Sequence, residues 1–292
     1  MTRALRASTL AFWLAVACGA TGGAQAPLTL PSPPTAALAA WTDFPVSANP
    51  RPIVWLGGPD LIAAYPGEAT SKMAGICLKL VVQAGLQLPV AVPPQASARW
   101  SSGVTASYRA ISAATGFAGL LGMPRDTGSG CDSVAPLVIT TVTLGTAGVE
   151  TDRGPAQLST WLFQAAGVNG EFAYPALDPS AFWHGGLMPA GNGQGVGGSV
   201  SADGRTLIIG ISGPPDTPGP CGADYTTATA ESDTAVAVAV KMIPHPNSGQ
   251  VMCNLMAYPR SVTVHLAEPL GARVLVDENG NPGVACPETG GC

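Results

Sequence analysis

His184 lies in "AFWHGG", and of the 3 histidines in this 292-residue chain it is the one whose neighbours could build a reactive site. Phe182 and Trp183 offer aromatic walls, and Gly185 and Gly186 let a backbone approach closely. Hydrolysis by a side-chain nucleophile needs that group, a base and an orienting acid. The catalytic reading is therefore an extracellular hydrolase with His184 as base and its site at residues 185–198. The other histidines suit this less. His245 sits between Pro244 and Pro246, which hold an extended loop. His265 alternates with Val264 and Leu266, which turns it outward with Ser261 and Thr263. No G-x-S-x-G motif occurs, and "GISGPP" around Ser212 misses it. A loop histidine without a role is the ordinary reading, so Trp183 and His184 stand as candidate binding residues rather than catalytic ones.

Two further patterns resemble sites and fail on context. Residues 193–198 satisfy G-x-G-x-x-G, but a dinucleotide site needs that motif between a strand and a helix, whose N-terminus holds the pyrophosphate. Here it follows a loop and leads into a strand, as a linker does. Asp277, Asn279, Asn281 and Glu288 fall at the first, third, fifth and twelfth places of a calcium loop. Pro282 occupies the sixth place, where glycine is needed, and Asn279-Gly280 is a hairpin turn in its own right. No metal and no cofactor are expected. Trp41, Trp55, Trp100, Trp161 and Trp183 could stack on sugars if exposed, although tryptophan in a β protein belongs mostly to the core. Trp161, beside Leu162 and Phe163, reads as buried, and Trp183 as the better surface candidate.

The 7 cysteines carry the strongest covalent signal. Cys18 lies in "LAVACGATGGAQAP", after Arg3, Arg6 and an apolar run over residues 7–17 that together read as an export signal. That run is shorter than the roughly 20 residues a spanning helix needs. Ala24-Gln25-Ala26 is a candidate cleavage site, weakened by Pro27. Ala15-Val16-Ala17-Cys18 resembles a lipobox, with Leu14 one place further upstream than usual and Ala15 in its stead. Lipidation of Cys18 would leave Cys77, Cys131, Cys221, Cys253, Cys286 and Cys292, an even set suited to disulfides in an oxidising compartment. Sequence neighbours suggest Cys77 with Cys131, Cys221 with Cys253 and Cys286 with Cys292, with other connectivities open. No C-x-x-C spacing points to zinc.

The elements that must position these residues are mostly strands. Charged residues make up only 11% of the chain, with a formal net charge of −5, which excludes nucleic acid as a partner. Residues 19–40, rich in Gly, Ala, Thr and Pro, read as a tether. The segment from residue 69 to 92 is ambiguous and is assigned a strand at its Cys77 end. Residues 104–115 are the candidate short helix. "APLVITTVTLG", "AGVETDRGPAQLSTWLFQA" and "EFAYPAL" read as strands, with a hairpin turn at Asp152-Arg153-Gly154. Beyond the glycine-rich "MPAGNGQGVGGS" come two strands around Asp203-Gly204. They are followed by "DTAVAVAVKM" with Val236, Val238 and Val240 on one face, then two strands around residues 269–271.

"SADGRTLIIGISG", Cys221 with Cys253, "YPRSVTVHLAEPLGARVLVDENGNP" and "VETDRGPAQLSTWLFQAAG" resemble secreted proteins and lipoproteins of high-GC Gram-positive bacteria. The resemblance covers about half of the chain. It implies an extracytoplasmic β-rich module and supplies no catalytic residues.

The resulting expectation is a mainly β, antiparallel sandwich-like fold in two β-rich parts with one or two short helices. Its divisions are a signal peptide (1–17), a tether (18–40), an N-terminal domain (41–187), a hinge (188–199), a C-terminal domain (200–285) and a tail (286–292). Functionally it reads as a non-catalytic envelope protein, secreted or anchored to the membrane through Cys18. Its partner would be an envelope protein or a glycan.

Overall fold

The computed structural model describes residues 31–57, 69–123, 130–183, 196–246, 252–254 and 256–288. The fold is mainly β. Its first sheet holds β1 (Trp55–Gly57), β2 (Leu80–Val82), β3 (Ala96–Trp100), β4 (Thr105–Tyr108), β5 (Leu137–Thr151), β6 (Gly154–Ala165) and β7 (Glu171–Pro175), with helices α1 (Ala69–Ile76) and α2 (Ala113–Leu121) packed on it. The antiparallel hairpin of β5 and β6 is the spine, with Thr151 opposite Gly154 and only Asp152 and Arg153 in the turn. At the turn end the spine is flanked by β1 on one side and by β3 and β4 on the other, and at its open end by β2 and β7.

This ribbon is buried on opposite faces at its two ends. Ala156 and Leu158 join Ala98, Trp100 and Val149 in one cluster, whereas Trp161, Phe163 and Ala165 join Ile139, Phe172 and the helices in another. Side chains alternate along a strand, so the change from even to odd buried positions between Leu158 and Trp161 means a change of face. The face opposite Ala156 and Leu158 is thereby left open to solvent at the turn end. Helix α2 starts where Ser112 caps it, its hydroxyl accepting from the Thr115 N–H at 3.1 Å. The expected helix at residues 104–115 is instead strand β4 followed by this cap. Near Cys77 the chain is helical to Ile76, turns through Leu78 at φ 47, and becomes a strand only at Leu80.

The second sheet contains β8 (Gly197–Val200) and β9 (Thr206–Gly213), joined by the Asp203-Gly204 loop, with β12 (Tyr258–His265) and β14 (Ala285–Pro287) in the order β12-β9-β8-β14. A third contains β10 (Ala223–Glu231), β11 (Ala235–Pro244) and β13 (Val274–Asp277) in the order β10-β11-β13. Most pairings are antiparallel, but β2 with β5, β11 with β13 and β14 with β8 are parallel. Val236, Val238 and Leu275 face Leu207, Ile209 and Val264 to form the core of this sandwich. Ala235, Ala237, Val274 and Val276 point the other way and are covered by Ala37, Trp41, Phe44 and Val54. Strand β11 is therefore buried on both faces, not only on its valine face.

That second covering shortens the expected tether and joins the two β-rich parts. Thr35–Trp41 is a 3-10 helix with Ala37 and Trp41 buried, so the chain is already folded within the stretch expected to be tether up to residue 40. The Trp41 indole N–H donates to the Gly280 carbonyl at 3.0 Å. Gly280 itself has φ +84, where a side chain is strained, and a Cβ there would crowd the Ala37 carbonyl oxygen at 3.1 Å. Residues on both sides of the expected hinge thus share a core. Among the described residues, no sheet and neither of the disulfides with two described cysteines crosses residues 188–199.

Cys77 is bonded to Cys131 and Cys221 to Cys253, which places the chain in an oxidising compartment. Cys286 is disulfide-bonded as well, while Cys292, its expected partner, lies outside the described residues, as does Cys18. Among the described residues no helix is long and apolar enough to cross a membrane.

The sandwich also carries an acid-sensitive tie. Burial alone would raise the Glu231 carboxyl, but the Ala267 N–H at 2.7 Å, the Arg273 guanidinium at 3.0 Å and the Glu268 N–H hold it below its ordinary value. A depressed folded-state pKa gives stability that is complete above the unfolded value and is lost as pH falls through the folded one. Glu231→Gln should lower Tm at about pH 7, and the gap should close at a pH below the folded-state value of this carboxyl. A gap of the same size at both pH values would remove this role.

Candidate binding site

Among the described residues, those singled out in the sequence do not assemble into a site. Trp183 is half-buried in the core, stacked on Trp41 with centroids 6.4 Å apart and edge-on to Phe44 at 5.1 Å. It is not the surface platform expected of it. Trp41, Trp55, Trp100 and Trp161 are buried too. His184, and with it nearly all of the glycine-rich stretch, lies outside the described residues. His245 Nε2 is 3.2 Å from Asp224 Oδ2, and its Nδ1 is 3.2 Å from the Thr217 carbonyl oxygen. His265 is exposed on β12, as the alternation predicts, with Thr206 Oγ1 3.4 Å from Nδ1. Among the described residues neither histidine joins a nucleophile to an orienting acid. Asp277 accepts from the N–H groups of Asn279 and Asn281 at 2.8 and 2.9 Å and from the Asn281 amide at 2.9 Å. Its carboxylate is used in holding the turn, and among the described residues no cluster of three or more His, Cys, Asp or Glu could hold a metal ion.

Two other features gather polar chemistry, and both sit at the β5–β6 turn. The first is a buried ionic knot. Arg51 Nη2 donates to Asp152 Oδ2 at 2.6 Å, and Arg51 Nε donates to the Ala272 carbonyl at 2.9 Å. The Arg51 guanidinium lies 4.6 Å from the Phe44 ring centroid. Arg153, on the same turn, stacks 3.7 Å over Trp100, with Nε 3.9 Å from Asp152 Oδ1. Burial pulls the Arg153 guanidinium down from its usual pKa, and Asp152 opposes that. The Tyr108 hydroxyl donates to the Arg51 carbonyl at 2.8 Å, and burial raises its pKa. The Val54 carbonyl accepts from the Asp152 N–H, and the Asp152 carbonyl accepts from the Ala285 N–H, both at 3.1 Å. The turn is thereby clasped between the N-terminal segment and the entry to β14. These contacts brace the turn, although Arg51 Nη1 and Asp152 Oδ1 are buried without a hydrogen-bond partner among the described residues.

The second feature is the open face left by the ribbon's change of side. There, Arg99 on β3 lies opposite Gln157 on β6, which lies opposite Gly148 on β5. One same-face step further along β5 is Glu150, opposite Pro155 and beside Gly57 on β1. With Ser101, these residues line a shallow depression of about 710 Å³, within the range of small-ligand sites. Ser97, whose N–H donates to Ser159 Oγ at 2.9 Å, extends the polar surface beside it. The Trp55 indole N–H donates to the Gly57 carbonyl, fixing the rim strand, and the ionic knot fixes the turn. The platform is therefore built on braced strands rather than on loops.

Sequence reasoning missed Arg99, Glu150 and Gln157 because they are far apart in the chain and form no local motif. The available signal was alternation: in "GPAQLS", Ala156 and Leu158 are apolar while Gln157 is polar, which marks a solvent-facing row. No protein-family model, curated protein or solved structure matches this chain.

Proposed function

We propose that this chain is a non-catalytic binding protein of the cell envelope that uses the shelf formed by Arg99, Gln157, Gly148 and Glu150 to hold its partner, an envelope protein or glycan. The observation that carries this reading is the shelf itself, an open polar face on a braced sheet. The two disulfides fit an extracytoplasmic setting. The resemblance to secreted proteins and lipoproteins of high-GC Gram-positive bacteria points the same way. Residues 1–17 serve as the export signal, and Cys18 receives the lipid that ties the protein to the membrane.

The reading is tested by sedimenting purified protein with isolated envelope fractions. The wild type should co-sediment, and the Arg99→Gln/Glu150→Gln variant should lose most of that binding while keeping its Tm. Unchanged binding by the variant would move the function off the shelf. The anchor is tested separately: cells fed a radioactive fatty acid should label the wild type and not Cys18→Ala. Equal labelling of both would remove the lipid from the account.

A further inference from the structure

We infer that the shelf binds a short peptide with free termini, its carboxylate on Arg99 and its ammonium on Glu150, an inference that rests on the shelf being the binding face. The first argument is charge. Of the described arginines, Arg51, Arg153, Arg205, Arg260 and Arg273 have carboxylate partners, and Arg99 and Arg109 do not. Arg99 and Glu150 line the depression on opposite sides of Gln157, and neither forms an ion pair among the described residues. An anion alone would meet repulsion from Glu150 and a cation alone from Arg99, and a neutral sugar would leave both charges unused. A zwitterion uses both.

The second argument is span. Arg99 and Glu150 are two strand spacings apart and one same-face step out of line. With strands about 4.8 Å apart and two residues rising about 6.8 Å, their Cα atoms are about 12 Å apart. An extended peptide covers at most about 3.3–3.6 Å per residue, so about three residues match the separation of the two backbone positions.

The third argument is the floor between them. Gln157 offers both an acceptor and donors, which match the central peptide groups of such a ligand. At Gly148 a Cβ would lie 3.3 Å from Gln157 Nε2, so the glycine leaves room for the amide to lie along the sheet. Pro155, on the same face, gives the ligand an apolar edge to rest on.

The test is calorimetric titration of the purified protein with trialanine in four forms: free, N-acetylated, C-amidated and capped at both ends. The free form should bind best, and each cap should weaken binding by about fivefold, the value of one exposed ion pair. Arg99→Gln should abolish the penalty of C-amidation and leave that of acetylation. Glu150→Gln should do the reverse. Gly148→Val, which fills the floor, should weaken all four forms alike. Equal binding of the free and doubly capped forms, or no binding of the free form at millimolar concentration, would overturn the inference. If the shelf variants lose envelope binding while trialanine is ignored, the ligand class is wrong and the shelf stands. If they retain envelope binding, the shelf itself is wrong.

Discussion

Arg51→Met should destabilise the protein by about 3–5 kcal/mol, the cost of leaving a buried charge without its partner. Asp152 has a side chain only 3% exposed, and its one close counter-ion is Arg51 at 2.6 Å. Arg153 Nε is 3.9 Å away, too far for a hydrogen bond. Arg51 also joins the N-terminal segment to the β5–β6 turn and, through the Ala272 carbonyl, to the approach to β13. Its loss removes both ties at once. Replacing both partners gives a different result: Arg51→Met with Asp152→Leu should recover most of the loss, because Arg51 Nη1 and Asp152 Oδ1 are buried without a protein partner even in the intact pair. Denaturant melts of the two single variants and the double variant form a cycle that measures this coupling. A single-variant loss below about 1 kcal/mol would show that the pair is solvated and does not clasp the turn.

The second large effect is loss of the Cys77–Cys131 bridge. The two cysteines are 54 residues apart, and the chain-entropy estimate for such a loop is about 4 kcal/mol. The Cys221–Cys253 loop, with a separation of 32, gives nearly the same figure, so removing either pair by serine substitution should cost a comparable amount. The bridges differ in access. Cys77 and Cys131 are 2% and 7% exposed, whereas Cys253 is on the surface. Graded reduction under native conditions, followed by alkylation and peptide mapping, should open Cys221–Cys253 first and leave Cys77–Cys131 intact until the protein unfolds. Release of Cys77–Cys131 first would mean that α1 and the segment around Cys131 open more readily than their packing implies.

The sequence was most informative where one residue decides a local shape. Gly154 at φ +90 ends the Asp152-Arg153 turn, Gly204 at φ +74 shapes the loop between β8 and β9, and the alternation around His265 places it outward. It was least informative where small residues are core. Ala235 and Ala237 carry weak hydrophobic signals, so β11 reads as a strand with one buried face. Their smallness matches the bulk of Trp41 and Phe44 on the covering segment, a match visible only when both are seen together. The parallel pairings were hidden for a similar reason. Alternation marks a strand without stating its neighbour, and β13 reaches β11 and β14 reaches β8 by long connections. The shelf combines both difficulties, because its residues come from four strands and its opening depends on the ribbon's change of face.

The hydrogen bond from Trp41 to Gly280 joins positions 239 residues apart. A ribosome delivers Trp41, Phe44 and Val54 long before β11 and β13, the strands that receive them, have been made. Throughout that interval the nascent chain carries an aromatic stretch without the strands that cover it, the condition in which contacts distant in sequence make folding slow and aggregation a competitor. A chain truncated before β13 lacks Val274, Val276 and the Gly280 carbonyl, and so leaves part of that stretch without its cover. The last strands of the chain thus complete a core that its first folded residues begin.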